Sequence, residues 1–244
     1  MAEAKLYSGT SGFAYDSWKP EFYPEHISSA KFLAYYATRL NAVEINYTYR
    51  RIASAATFEK WMAATPADFV FLPKAHMKIT HSLKLEDAEE FTRVFLESLN
   101  PLRDAKRLGP ILFQLPPSMK QDVERLRRFI GLLPRGLRTA FEFRNASWFD
   151  EETYKALQDC NVAMCLAENE NLETPYVLTS DFVYLRLRKP DYLESELASI
   201  AYRVEQYLGN GYPTYAIFKH EDTPAGALNA EKLLASEKSK TTVS

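Results

Sequence analysis

From residue 5 to residue 218 this chain alternates short apolar runs with longer stretches of helical periodicity, and few folds accommodate that alternation. Runs of strand length fall at Lys5–Ser11, Ala42–Tyr47, Phe69–Ala75, Ile111–Leu115, Arg138–Phe143, Ala163–Ala167, Val183–Leu187 and Thr214–Phe218. Most are separated by amphipathic stretches: Ser29–Leu40, Ala55–Ala64, Asp87–Leu99, Gln121–Leu133, Glu151–Cys160 and Glu194–Leu208, with Ala225–Ala235 after the last. In Asp87–Leu99, Ala88, Phe91, Val94, Phe95 and Leu99 share one helical face. Asp150 is expected to cap the helix that starts Glu151-Glu152. Such alternation favours parallel strands joined by right-handed crossovers. Eight strands in 244 residues fit an α/β fold, a single (β/α)8 TIM-barrel-like domain over residues 1–236 with a polar tail over 237–244. The competing doubly wound sheet lacks its phosphate turn, since Gly9 and Gly12 do not make GxGxxG. Glu168–Asp181 is too short and polar for a full helix, so the sixth crossover helix is expected to be short or missing.

Composition excludes several classes. With 46% hydrophobic and 25% charged residues the chain reads as a soluble globular protein. A net charge of -2 gives no global footprint for nucleic acid or an anionic membrane, although a local basic patch stays open. No apolar stretch approaches the roughly 20 residues of a membrane span. The N-terminus lacks the apolar run of a signal peptide, so a cytoplasmic location without a membrane partner is expected. Cys160 and Cys165 are expected to be reduced packing residues.

In Ala140-Phe141-Glu142-Phe143-Arg144, the phenylalanines take one strand face and the charged residues the other. The same parity places Glu44 and Asn46 inward from the second strand, Lys74 and His76 from the third, and Gln114 from the fourth. Glu142 and Arg144 point inward from the fifth strand, and Arg186 and Arg188 from the seventh. All lie late in their strands, where barrel sites form. The sixth and eighth strands are ambiguous: Glu168 shares parity with Met164 and Leu166, and Lys219-His220 closes the eighth. Clustered arginines and lysines suit multidentate recognition of phosphate or carboxylate. An anionic small molecule is the expected ligand, with nucleic acid as an alternative. Glu142 and Glu44 are the candidate acid or base, provided burial raises a pKa. Arg144, Arg186, Arg188 and Lys74 would bind the anion, while Asn46 and Gln114 orient it. His81 and Tyr15 line the mouth. Interior ion pairing, as Glu142 with Arg144 or Glu44 with Arg186, is the structural alternative. No cofactor is expected. A divalent metal is the weaker alternative, with Glu44, His76, His81, Glu142, Glu168 and His220 as possible ligands.

The segments Ser8–Tyr15 with Trp18 and Phe22–Pro24, Ala42–Asn46, Trp61 with Thr65-Pro66, and Lys74 with Thr80-His81 resemble the YecE-like family. So do Gly109–Pro117, Phe141–Arg144 with Ser147–Phe149, Asp181–Leu187 and Asn229-Ala230. The family is also called domain of unknown function 72. The resemblance covers nearly the whole chain. It implies a TIM-barrel-like fold of unestablished activity, with likeness to endonuclease IV and sugar-isomerase barrels. A metal-dependent phosphodiesterase of endonuclease type and a noncatalytic protein that binds nucleic acid or a metabolite are the alternative functions. Three positions depart from the family pattern. Arg188-Lys189 replaces His-Gly after the seventh strand, Glu168 replaces Asp after the sixth, and Lys219-His220 replaces Asn near the end of the eighth.

Overall fold

A computed structural model describes residues 4–168, 172–219 and 222–241, with side chains as far as residue 237. Its strands are β1 Leu6–Ser11, β2 Ala42–Ile45, β3 Val70–Pro73, β4 Ile111–Gln114, β5 Thr139–Glu142, β6 Ala163–Met164, β7 Leu166–Ala167, β8 Val183–Leu187 and β9 Thr214–Phe218. Its helices are α1 Phe32–Arg39, α2 Tyr47–Arg50, α3 Ala55–Ala63, α4 Glu89–Ser98, α5 Asn100–Asp104, α6 Val123–Gly131, α7 Glu151–Gln158, α8 Glu194–Gly209 and α9 Ala225–Thr241. Every paired strand is parallel. The hydrogen-bonded neighbours run β3-β2-β1-β9-β8-β7 in one sheet and β4-β5-β6 in the other. β6 and β7 are halves of the single expected strand, interrupted at Cys165, whose amide still bonds Phe141 O at 2.8 Å. The other junction, β3 to β4, has only isolated bridges, Phe71 with Leu108 and Lys74 with Leu112. The neighbours thus follow the chain around a TIM-barrel-like ring with one thinly bonded seam.

Arg107 closes that seam from below. Its buried guanidinium donates to Phe69 O at 3.0 Å, to Met62 O at 2.8 Å and to Thr65 Oγ1. It fastens the end of α3 to β3, where the ladder supplies few bonds. Next to β3, β2 and β1 approach so closely that a Cβ at Gly9 would stand 1.9 Å from Ala42 O. The Tyr36 hydroxyl ties the same two strands, bonding Thr10 N at 2.8 Å and Ala42 O at 2.9 Å.

The parity expected from the sequence separates two apolar clusters. Phe71, Phe113 and Phe141 face outward, and Phe141 stacks on Phe113 at 5.1 Å between centroids. Leu72, Leu112, Ala140, Tyr184, Tyr215 and Ile217 fill the interior. The interior also takes Ala163, Cys165 and Ala167, so small residues mark the inward face of the sixth wall strand. Glu168 therefore stands on the opposite parity.

Asp150 caps α7 as expected, accepting from Thr153 N at 2.9 Å. The sixth crossover has no helix among its described residues. Two expectations need correction. The second strand ends at Ile45, because Asn46 turns into α2 with φ -77° and ψ -17°. α9 runs past its expected end at Ala235 to Thr241, through part of the expected polar tail, where Glu237, Lys238 and Lys240 are good helix formers. No helix among the described residues is long and apolar enough to cross a membrane.

Candidate functional site

Arg186 is the centre of the C-terminal mouth. It lies on β8 between Ala167 of β7 and Ile217 of β9, and its side chain is 1% exposed. One guanidinium nitrogen, Nη2, donates to Glu44 Oε1 at 2.6 Å. The other, Nη1, donates to Glu142 Oε2 at 2.5 Å. One cation from β8 thus holds two carboxylates, one from β2 and one from β5. Ser11, beside Glu44 in the β1–β2 register, donates Oγ to the same carboxylate at 2.6 Å. The Tyr184 hydroxyl donates to Glu44 Oε2 at 2.9 Å. Gln114, beside Glu142 in the β4–β5 register, donates to Glu142 Oε2 at 2.8 Å. Each buried carboxylate therefore has several donors, which offsets the cost of desolvating it.

More cations ring this centre. Arg188 Nη2 donates to Glu142 Oε1 at 2.7 Å. Arg144, about one-third exposed, reaches the same oxygen only at 3.7 Å. Lys74 donates to Gln114 Oε1 at 2.9 Å, and its ammonium lies 4.4 Å from the centroid of the Tyr49 ring. Lys219 follows β9 in the inward register of Tyr215 and Ile217 and sets its charge against Lys74. Glu168 sits at the rim. It accepts from Arg188 N at 2.7 Å, from Lys189 N at 3.3 Å and from the Tyr192 hydroxyl.

These neighbours fix the protonation states. Burial raises the Glu142 pKa, but Arg186, Arg188 and Gln114 outweigh it and bring it down to about 2. Burial likewise opposes ionisation of Glu44, and Arg186, Lys74 and Ser11 reverse that effect to leave its pKa lowered. The condition set for a carboxyl acid is thus not met: both groups stay ionised, and neither donates a proton at neutral pH. Burial and Arg186 push Lys74 down to about 8 against the attraction of Glu44 and Glu142, with Lys219 adding to the repulsion. Arg188 is lowered by burial and by Arg186 and Arg144, against Glu142. His81 is lowered by burial, Lys74 and Arg144.

The structure brings Glu44, Glu142, Gln114, Arg186, Arg188 and Lys74 into one network, as alternation placed them. Asn46 has left the strand yet still reaches the mouth, donating to Ser11 Oγ at 3.0 Å. His81 rides on a π-helical turn, Lys78–Ser82, with its ring edge-on to Tyr49 at 5.5 Å. Tyr15 packs on Trp18 at 4.9 Å and bonds Ser11 O at 3.0 Å. The expected inward place of His76 is corrected: its ring packs on Phe91 at 4.9 Å, because the chain turns after β3. Among the described residues no three His, Cys, Asp or Glu converge to hold a metal, and His220 lies outside those residues. Sequence reasoning missed Ser11 and Tyr184. Tyr184 shares the parity of Arg186 and was findable by the same rule, whereas Ser11 carries no charge to draw notice.

A family model described as a protein of unknown function, DUF72, matches residues 7–243. The UPF0759 protein YunF of Bacillus subtilis is 32% identical over 161 residues, covering 62% of this chain and 54% of YunF. The chain thus spans about half the length of that curated relative. The crystal structure of a DUF72 family protein from Thermotoga maritima is similar with a TM-score of 0.85 at 30% identity, covering 96% of this chain and 99% of the other. An AP endonuclease of family 2 from Brucella melitensis has a TM-score of 0.55 at 11% identity, covering 97% of this chain and 98% of its own, which is a likeness of fold alone.

Proposed function

Because this chain belongs to the DUF72 family, we propose its role from the mouth its own residues build: it binds and acts on a small molecule bearing a phosphate or carboxylate. One observation supports this above the rest. Lys74, Arg144, Arg186, Arg188 and Lys219 crowd a space where Glu44 and Glu142 are already shared with Arg186. Lys74 and Arg188 are lowered by neighbouring cations as well as by burial. An arriving anion relieves that repulsion, and arginine forks suit its oxygens. In this reading Arg144 and Arg188 grip the anion, with Lys74 beside them. Asn46 and Gln114 orient the remainder of the molecule. Glu44 and Glu142 hold Arg186 in place as counter-ions.

The endonuclease-type alternative gains no support from the donor set, since no metal-holding group converges among the described residues. The test is a thermal-shift screen of phosphorylated and carboxylated metabolites, nucleotides and short DNA at matched ionic strength, on wild type and Arg144→Ala. Ligands that bind the folded state stabilise it by mass action. Small anions should stabilise wild type and lose most of that effect in the variant. Equal shifts in both proteins would overturn the reading, and a response confined to DNA would replace it with the nucleic-acid alternative.

A further inference from the structure

Lys74 stands apart from the other cations of the mouth. Arg186 and Arg188 each bond a carboxylate. Among the described residues no carboxylate lies within ion-pair distance of Lys74 Nζ, whose hydrogen bond goes to a neutral amide oxygen, Gln114 Oε1 at 2.9 Å. Its ammonium is set over the Tyr49 ring at 4.4 Å, and Tyr49 is itself packed edge-on by His81. The bond to Gln114 holds the side chain at the end of β3, pointing it across the mouth towards the β4–β5 side. Gln114 cannot swing away, because its amide nitrogen is committed to Glu142 at 2.8 Å. An anion-binding lysine in a cluster of arginines needs no such placement, since an arginine serves that purpose better. A lysine buried with no carboxylate in contact, where Arg186 and Lys219 oppose the more distant pull of Glu44 and Glu142, is an amine kept ready to react.

We propose that Lys74 is a nucleophile and that the ligand of the mouth is an anionic aldehyde or ketone, held as a Schiff base on Nζ. This rests on the anion-binding reading above and narrows its substrate class. The Lys74 nitrogen lone pair forms the new C–N bond as the carbonyl C=O π pair moves to oxygen and takes up a proton. That proton comes from the nitrogen, giving a carbinolamine with one N–H and one O–H. A proton from solvent then lets the hydroxyl leave as water while the nitrogen lone pair closes the C=N bond, and the remaining N–H stays on the iminium. Amine, carbonyl and one proton thus give iminium and water, with no change of oxidation state. Arg144 and Arg188 would hold the anionic end. The low pKa of Lys74, about 8, supplies neutral amine near physiological pH.

The probe is pyridoxal 5′-phosphate, an aldehyde with a phosphate, added at substoichiometric amounts and trapped with borohydride before peptide mass spectrometry. Lys74 should be labelled faster than the surface lysines by at least about tenfold, since its free-amine fraction near pH 7.5 is on the order of 100-fold larger. Inorganic phosphate should protect it. Pyridoxine 5′-phosphate, the corresponding alcohol, reads anion binding alone by calorimetry. If the alcohol binds and Lys74 is labelled no faster than surface lysines, the Schiff base is overturned while the anion site stands. If the alcohol does not bind and phosphate gives no protection, the anion site itself fails. Lys74→Arg keeps the charge, and should retain alcohol binding while losing the trapped adduct.

Discussion

Lys74 and Gln114 are joined by one hydrogen bond, Nζ to Oε1 at 2.9 Å, and that bond decides which way the Gln114 amide faces. With its oxygen turned to Lys74, its nitrogen must turn to Glu142, which it meets at 2.8 Å. A single amide thereby passes between a cation and an anion and satisfies both. It also stands between the amine and Glu142, so the two charges meet through the amide and not in contact.

Stability should therefore depend on Lys74 in alkali. Its folded pKa of about 8 lies below the ordinary 10.5. Between those values the unfolded chain binds more protons at this position than the folded one, so stability gains as pH rises from 8 to 10.5. The stability of wild type relative to Lys74→Met should climb over that window and level off above it. Urea titrations of both proteins across that range measure it, and parallel profiles would refute it.

Arg186→Met should destabilise the protein by about 3–5 kcal/mol, because it leaves two buried carboxylates without their shared counter-ion. Combining it with Glu44→Gln and Glu142→Gln should recover much of that loss, since the uncompensated charges go with it. Chemical denaturation of the single and triple variants checks both halves. A loss below about 1 kcal/mol in the single variant would show that the network matters little to the fold.

The acid limb belongs to Glu142. Its folded pKa of about 2 lies below the ordinary 4.5. The ion pairs with Arg186 and Arg188 therefore contribute fully above about 4.5 and are lost as pH falls towards 2. The stability difference between wild type and Glu142→Gln should be largest above pH 4.5 and shrink over that interval. A difference independent of pH would mean that this carboxylate does not titrate with folding.

Period-two alternation made most of the mouth legible, since each inward charged residue late in a strand follows from the parity of its apolar neighbours. Alternation gives a face and not a partner. It offered the pairs Glu44 with Arg186 and Glu142 with Arg144; the structure forms the first at 2.6 Å and the second at 3.7 Å, and adds Arg186 and Arg188 on Glu142, which parity alone does not pick out. Strand six was illegible because both of its faces are apolar. The deciding signal was size, with Ala163, Cys165 and Ala167 inward and Met164 and Leu166 outward. His76 escaped because strand parity ends where the strand does. Arg107 escaped because it lies between elements, where no period applies. Its burial comes from three acceptors supplied by distant parts of the chain.

A cylinder zipped entirely by backbone has a fixed circumference. This one is fastened along one line by a guanidinium at its base and a few isolated bridges above it, the last of them at Lys74. Three backbone hydrogen bonds also cross that line, Phe71 N to Arg107 O, Gly109 N to Phe71 O and Ala75 N to Leu112 O. Glu44 on β2 and Glu142 on β5 stand one strand away from it on either side, both bonded to Arg186. The two carboxylates and their shared guanidinium, with the Lys74–Gln114 bond, therefore hold the mouth together where the ladder is thinnest.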